Sequence, residues 1–232
     1  MSTQQGSSRI NTDGLILYYD PINERCYRAG STCSNLISDV NSGSLLNGVG
    51  YDGLGFVFDG LNDRILIQST LELSSIQVPM TIMGWFNHSG INSLPTIFAQ
   101  YQNTSPGFLV KLVRLGSSRL NYFCSSTGGF QQFTLTSASY VTNTWNFFSV
   151  VVSGNTTVYS ISLRLNETTQ NFSGTNMASP VTAVECRIGM PQNTNTSECF
   201  NGKISTMMVY NRALSQSEVD YVYTLTKNKF GR

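Results

Sequence analysis

Short runs in which apolar and polar residues alternate recur along the whole chain, and this pattern predicts strands. Between residues 157 and 163, Tyr159, Ile161 and Leu163 occupy every second position and therefore share one face of a strand. About a dozen such runs are separated by turn residues, with no long helical pattern between them. They cover residues 15–19, 55–58, 64–68, 80–86, 96–101, 107–115, 119–124, 130–135, 145–152, 157–165, 183–189 and 203–210. The sequence predicts an all-β fold of antiparallel sheets, with a loop from residue 20 to about 55.

One helix is predicted, near the C-terminal end. Ser215 and Glu218 have the spacing of a capping box, in which each side chain binds the other residue's backbone N–H. Val219, Val222 and Tyr223 then form one apolar stripe. We expect a helix of two to three turns with a structural role, lying against a sheet edge or an end of the sandwich.

The chain is predicted to be one domain. It has 232 residues, which suffice for a core without disulfides or metal, and no internal repeat, Pro-rich linker or break in composition. Residues 14–232 form the predicted domain, and residues 1–13 a flexible polar arm. The polar first fourteen residues lack the apolar core of a signal peptide, and no run reaches the roughly 18–20 apolar residues of a membrane span. We expect no membrane insertion.

Charge and cysteine content remove further classes of function. Fourteen Lys and Arg balance thirteen Asp and Glu, and no basic run supports nucleic-acid binding. The five cysteines are odd in number and lack C-x-x-C spacing, which argues against a zinc site. Cys26 with Cys33, and Cys186 with Cys199, could form disulfides across short loops. Five free thiols are the alternative.

Three segments resemble parts of a known family. They are GLILYYDP at residues 14–21, FDGLND at 58–63, and the stretch from GKI to NRALSQSE at 202–218. They resemble the first strand, a turn, and the closing strand with its helix start in the laminin-G-like, concanavalin A-like lectin/glucanase jelly-roll family. The loop NERCYRAGST at residues 23–32 is similar to the subtype common in phage and large DNA virus proteins. The resemblance implies two stacked sheets and non-enzymatic recognition of glycans or proteins, with calcium at the rim in some members.

The viral subtype implies a structural protein of the virion, either capsid-associated or a decoration or fibre component. Its expected location is the virion, and its expected partners are other virion proteins or further copies of itself. The alternative is a lectin-like module for cell-surface glycans, located outside the cell or on its surface.

A glycan site is predicted from loop composition, because sugar sites combine an aromatic platform with amide hydrogen-bonding groups. The candidate residues are Tyr101, Gln102, Asn103, Tyr122, Phe130 and Gln131. In the alternative interpretation, the aromatic residues pack at the rim and the amides are merely solvated.

No catalytic residue is predicted. Glycosidases of this fold carry Glu-x-Asp-x-x-Glu on one strand, since hydrolysis needs paired carboxyl groups; here the six Glu residues are isolated. The single histidine, His88, precedes Ser89 and Gly90, and we expect it to be a solvated loop residue. Trp85 and Trp145 have apolar neighbours and are expected in the core.

No cofactor is predicted, and calcium is disfavoured. Calcium takes six to eight oxygen ligands, usually with several carboxylates, whereas Asp59 and Asp63 have no third acid nearby. Many family members carry a carboxylate early in the closing strand, where this chain has Ser205 and Thr206. We expect Asp59 and Asn62 to shape the turn through side chain–backbone hydrogen bonds.

Overall fold

A computed structural model describes residues 9–67, 73, 78–102, 105–113, 118–126, 128–178, 185–192 and 195–232; for residues 101, 102, 105 and 106 the description covers only the backbone. The described chain forms two antiparallel sheets of eight strands each. This is the predicted all-β sandwich of two antiparallel sheets.

Sheet A carries the closing strand near its centre. Its strands are β1 (Leu15–Tyr19), β4 (Gly50–Tyr51), β5 (Phe56–Asp59), β7 (Met80–His88), β12 (Asn146–Gly154), β13 (Val158–Leu165), β14 (Thr168–Thr175) and β16 (Asn201–Tyr210). They follow the order β14-β13-β12-β7-β16-β5-β4, and β1 also pairs with β16. The first and last strands are therefore direct neighbours.

Sheet B faces sheet A across the core. Its strands are β2 (Thr32–Cys33), β3 (Gly43–Leu46), β6 (Arg64–Ile67), β8 (Thr96–Gln102), β9 (Ser105–Val113), β10 (Arg119–Ser126), β11 (Gly129–Thr134) and β15 (Cys186–Ile188). Their order is β11-β10-β9-β8-β15-β6-β3-β2. Strands β14 and β11 therefore end their sheets on one side of the sandwich.

The alternating pattern of β13 is confirmed by burial. Tyr159, Ile161 and Leu163 are buried in the core between the sheets, whereas Ser160 is exposed and Ser162 is half-buried on the opposite face. Each apolar side chain removed from water in this way contributes roughly 1.5–3 kcal/mol.

The predicted C-terminal helix is present as α1 (Gln216–Thr226), and both hydrogen bonds of the Ser215–Glu218 capping box form. Its buried residues pack on the outer face of sheet A, rather than at an edge or an end. Trp85 is fully buried there and stacks on Tyr223 and Phe230, with ring centroids 5.8 and 4.6 Å apart. The apolar cluster between α1 and sheet A forms a second core. Both tryptophans predicted to be core residues lie in it, although Trp145 is only partly buried.

Two predictions about irregular segments need correction. The predicted loop from residue 20 to 55 contains β2, β3 and β4, which are too short to show alternation. Residues 9–13, predicted as part of a flexible arm, lie against the domain. The Asn11 carbonyl accepts a hydrogen bond from the Tyr210 hydroxyl at 3.0 Å, and the Asp13 carbonyl accepts one from Arg212 Nε at 2.8 Å.

Strand β14 was not predicted. Its sequence TTQNFSGT contains a single large apolar residue, because an edge strand with one solvent-facing side needs little apolar surface. Within the described residues, no helix is long and apolar enough to cross a membrane.

Candidate functional site

A groove of about 570 Å³ lies on the outer face of sheet A, beside the start of α1. Its volume falls within the roughly 300–1,000 Å³ of typical ligand sites. Strands β12, β13 and β14 form the floor, and the residues leading into the helix form one wall. No sequence feature had marked this region as a site.

The floor is built from small polar side chains that share one face. Because the apolar residues of β13 point inward, its intervening serines point outward. Strand register aligns these with neighbours in two rows, Ser153–Ser160–Ser173 and Val151–Ser162–Asn171. Directly opposite residues have Cβ atoms about 4.5–5.5 Å apart. The rows therefore place hydroxyl and amide groups at close, regular spacing.

The groove is deepest next to the helix. Ser149 and Val151 are buried at its inner end, whereas Ser160, Asn171 and Ser173 are exposed at its outer end. A ligand would therefore enter along the three strands and end against the helix.

The wall is apolar and fixed in position. Leu214 and Val219 line it and are themselves largely buried. The Leu214 N–H donates to Thr81 Oγ1 of β7 at 2.9 Å, and the Thr81 hydroxyl donates to the Arg212 carbonyl at 2.9 Å. The side of the groove is thus tied to the centre of sheet A.

The polar groups of the floor are available to a ligand. Within the described part of the chain, the side chains of Ser149, Ser153, Ser160, Ser162 and Asn171 form no hydrogen bond. The described residues that line the groove include no ionisable side chain. They can therefore donate and accept hydrogen bonds but offer no charge to an ion.

Of the residues predicted to bind a glycan, Phe130 and Gln131 point to opposite sides of β11. Phe130 is 51% exposed. Gln131 Nε2 donates to the Thr175 carbonyl at 2.7 Å, and its Oε1 accepts from the Tyr159 hydroxyl. Gln131 therefore ties the edges of the two sheets together, and the structure does not bring it beside Phe130.

The prediction for Tyr122 is wrong. Its side chain is fully buried between the sheets, and its ring stacks on the ring of Phe133. No glycan can therefore reach it. Tyr101 and Gln102 lie in β8, but their side chains are outside the described part of the structure, as is all of Asn103. Their predicted role stays a prediction.

The turn at residues 58–63 is held by side-chain acceptors. Asp59 Oδ1 accepts from the Leu61 N–H at 2.8 Å, which confirms its predicted role in the turn. The second such side chain is Asp63 rather than Asn62: its Oδ2 accepts from the Asp59 N–H at 2.9 Å. Burial raises the pKa of the Asp63 carboxyl. Among the described residues, no group of three or more His, Cys, Asp and Glu could hold a metal ion.

Ser205 and Thr206 lie where the closing strand is irregular. The Ser205 hydroxyl donates to the Leu54 carbonyl at 2.6 Å, and Thr206 has a φ of 49°. The pairing of β16 with β7 is irregular between Ser205 and Met208. These residues therefore shape a bulge in the closing strand.

His88 is not the solvated loop residue that was expected. It is the last residue of β7, is fully buried, and has Nδ1 3.2 Å from the Tyr140 hydroxyl. The Phe200 ring lies 5.5 Å from the imidazole. Ser89 and Gly90 led to the prediction that the loop already begins at His88, whereas β7 includes this residue.

The proposed disulfides are not formed, since all five cysteines are free and buried. Burial raises the pKa of Cys26 to about 12 and that of Cys199 to about 11. The Cys199 thiol donates to the Leu61 carbonyl at 3.0 Å. The thiols are therefore protonated packing groups.

The architecture is that of a β-sandwich domain with a neutral polar groove on its surface. A model of the concanavalin A-like lectin/glucanases superfamily matches residues 31–220, and the chain belongs to that superfamily. No curated protein sequence matches the chain.

Solved structures share the fold at low identity. A native heptameric SAP-like pentraxin from Limulus polyphemus is 16% identical, with a TM-score of 0.56, over 72% of this chain and 80% of that one. Botulinum neurotoxin type C, whose cell entry depends on two ganglioside molecules, is 11% identical, with a TM-score of 0.67, over 91% and 51%. A Trypanosoma rangeli sialidase in complex with 2,3-difluorosialic acid is 11% identical, with a TM-score of 0.69, over 98% and 35%. The chain thus spans about half of the toxin chain and a third of the sialidase chain.

Proposed function

We propose that this protein is a non-catalytic module that binds a neutral oligosaccharide in the groove on sheet A. The observation that carries the proposal is the pair of cross-strand rows, whose hydroxyl and amide groups have no hydrogen-bond partner in the described chain. The predicted glycan-binding alternative is retained, but at a different site.

The chemistry of the groove suits sugar hydroxyls. Serine hydroxyls and the Asn171 amide both donate and accept, as the hydroxyls of a sugar do. Leu214 and Val219 offer an apolar wall for the C–H face of a ring. The superfamily name includes lectins, and the toxin and sialidase structures are described with a ganglioside or a sialic acid derivative. Because no Lys, Arg or His is among the described residues that line the groove, we favour a neutral glycan over a sialylated one.

The positions of the carboxylate side chains support a role in binding rather than in hydrolysis. Most glycosidases use two carboxyl groups, about 5–5.5 Å apart for retention or 6.5–9.5 Å apart for inversion. The described residues of the groove lining include no carboxyl group. Four of the six glutamates instead form ion pairs: Glu24 with Arg28, Glu185 with Arg187, Glu198 with Lys111, and Glu218 with Arg212.

The virion role, the virion location and self-association were predicted from the resemblance of residues 23–32 to viral proteins. They stay predictions. A glycan-binding module is compatible with a surface component of a virion, and the groove itself favours the glycan.

The test is a glycan array of neutral and acidic oligosaccharides, followed by calorimetric titration of the best ligand with and without EDTA. We expect neutral glycans to bind equally well in both conditions. Asn171→Leu should weaken binding about tenfold or more, since it removes hydrogen bonds and fills the groove.

The matched control is Gln132→Leu, which replaces an exposed amide on β11, the edge strand of the other sheet. It should bind like the parent protein. Absence of binding to any neutral glycan, loss of binding in EDTA, or equal losses in both variants would each contradict the proposal.

A further inference from the structure

We propose that β14 pairs along its free edge with the same strand of a second copy of this chain, which joins the two copies of sheet A into one continuous sheet. Strand β14 is the end strand of sheet A, and its one partner among the described strands is β13. The proposal concerns an interface between two copies, so it holds or fails whether or not the groove binds a sugar.

Three residues of β14 direct their backbone groups away from β13. The two strands are joined by a two-residue turn at positions 166–167, so the residues that flank this turn form a hydrogen-bonded pair. Bonded and non-bonded pairs alternate along an antiparallel ladder, and the N–H and C=O groups of Thr169, Asn171 and Ser173 therefore point to the open edge. Within the described chain these groups form no hydrogen bond.

The edge of β14 lacks the features that normally prevent such pairing. Natural proteins protect sheet edges with lysine, proline, bulges or very short strands. Strand β14 has eight residues without a charged side chain or a proline, and its pairing with β13 continues without a register shift. At the other end of the strand order, β4 has only two residues. Sheet A therefore offers at β14 a long, regular template for a further strand.

A second copy fits this edge because an antiparallel edge is complementary to itself about a two-fold axis. The Thr175 carbonyl already accepts a hydrogen bond from Gln131 Nε2 at 2.7 Å, so the pairing is centred on Asn171, nearer the turn. The axis then places Asn171 opposite Asn171 of the second copy, and Thr169 opposite Ser173. Each of these pairs exchanges two backbone hydrogen bonds.

The second sheet favours a copy of the chain over an unrelated peptide. Strand β11 ends sheet B on the same side of the sandwich, and the hydrogen bond between Gln131 and Thr175 ties it to β14. A two-fold axis normal to the sheets therefore brings the β11 edges of two copies towards each other as well, whereas a single peptide strand pairs with one edge. Paired residues of an antiparallel ladder share a face. The groove floors of both copies thus lie on one face, with the exposed Asn171 of each at the junction.

The test is sedimentation velocity of the full chain, without any sugar, at concentrations up to about 100 μM, which detects dimers of micromolar Kd. We expect a reversible equilibrium between monomer and dimer in the parent. Because residue 171 faces its own copy across the axis, Asn171→Lys and Asn171→Glu each place like charges directly opposite, and each should weaken dimerisation about tenfold or more. An equimolar mixture of these two variants should dimerise again through the complementary charges, which also shows that both are folded.

The matched control is Ser160→Lys, which changes an exposed serine on the same face of β13, one strand away from the edge. It should dimerise like the parent. The proposal is overturned if the parent sediments as a monomer at every concentration, if Asn171→Lys dimerises as well as Ser160→Lys, or if the mixture of the two variants at residue 171 stays monomeric.

Discussion

The hydrogen bond between Trp85 and Thr226 offers a sharp test of how the helix is held on sheet A. The indole N–H donates to Thr226 Oγ1 at 2.9 Å, and both side chains are buried. The Thr226 hydroxyl itself donates to the Val222 carbonyl at 2.8 Å. Thr226→Val keeps the shape of the side chain but removes the acceptor.

The expected loss of folding stability follows from the buried indole N–H, which has no acceptor in this variant. A buried donor without a partner costs about 1–3 kcal/mol, and threonine and valine have similar helix propensities. For a domain of this size each kcal/mol lowers Tm by roughly 2–4 °C, so the variant should melt roughly 2–12 °C below the parent.

A double-mutant cycle measured by urea unfolding isolates the hydrogen bond. Trp85→Phe removes the donor, so in that background Thr226→Val should cost only a few tenths of a kcal/mol. Near-UV circular dichroism reports the transition in every variant, since Trp145 and Tyr223 also lie in the second core. If Thr226→Val costs the same in both backgrounds, the hydrogen bond does not stabilise the helix contact.

Three further predictions concern titration, reactivity and burial. Bonding to Arg212 lowers the pKa of Glu218 from 4.5 to about 2; the stability from this pair is complete above pH 4.5 and is lost as the pH falls towards 2. Urea unfolding should therefore show a larger difference in stability between the parent and Glu218→Gln at pH 6 than at pH 3, and a smaller difference still near pH 2. Burial raises the pKa of Cys26 to about 12 and of Cys199 to about 11, so Ellman's reagent should label the thiols only in denaturant; rapid labelling of native protein would contradict this. Asn121 is fully buried, and neither polar atom of its amide has a hydrogen-bond partner in the described chain, so Asn121→Leu should leave the free energy of unfolding unchanged or raise it.

Alternation and capping were sufficient to predict most of the architecture. The strands that carry apolar residues at every second position were found, because one of their faces fills the core. The helix was found because Ser215 and Glu218 form a local motif that needs no tertiary information. Strand β14 was missed because an edge strand carries little of that signal.

The alternation of side chains along β10 would have corrected the prediction for Tyr122. Leu120, Tyr122 and Cys124 occupy alternate positions of β10 and all face the core. Asn121, between them, faces the other way. The tyrosine was instead judged by its residue type, which suits a sugar site, rather than by its place in the alternation.

The groove was beyond sequence reasoning for a different reason. Its rows combine residues of three strands, and only the register brings Ser153, Ser160 and Ser173 together. Each serine alone is an ordinary outward residue. The available signal was a set of small uncharged polar residues, Ser160, Ser162, Asn171 and Ser173, at alternate positions of two adjacent strands.

The anchoring of the groove wall through Thr81 has a thermodynamic consequence. Because Leu214 is tied to β7, the groove exists only while the helix start is seated on the sheet. A ligand that touches both floor and wall therefore binds the folded state alone, and its binding energy adds to the stability of the helix contact. At a ligand concentration of 100 times Kd this linkage amounts to about 2.7 kcal/mol. Thermal denaturation in the presence of candidate sugars would thus rank ligands of the groove without any labelling of the protein.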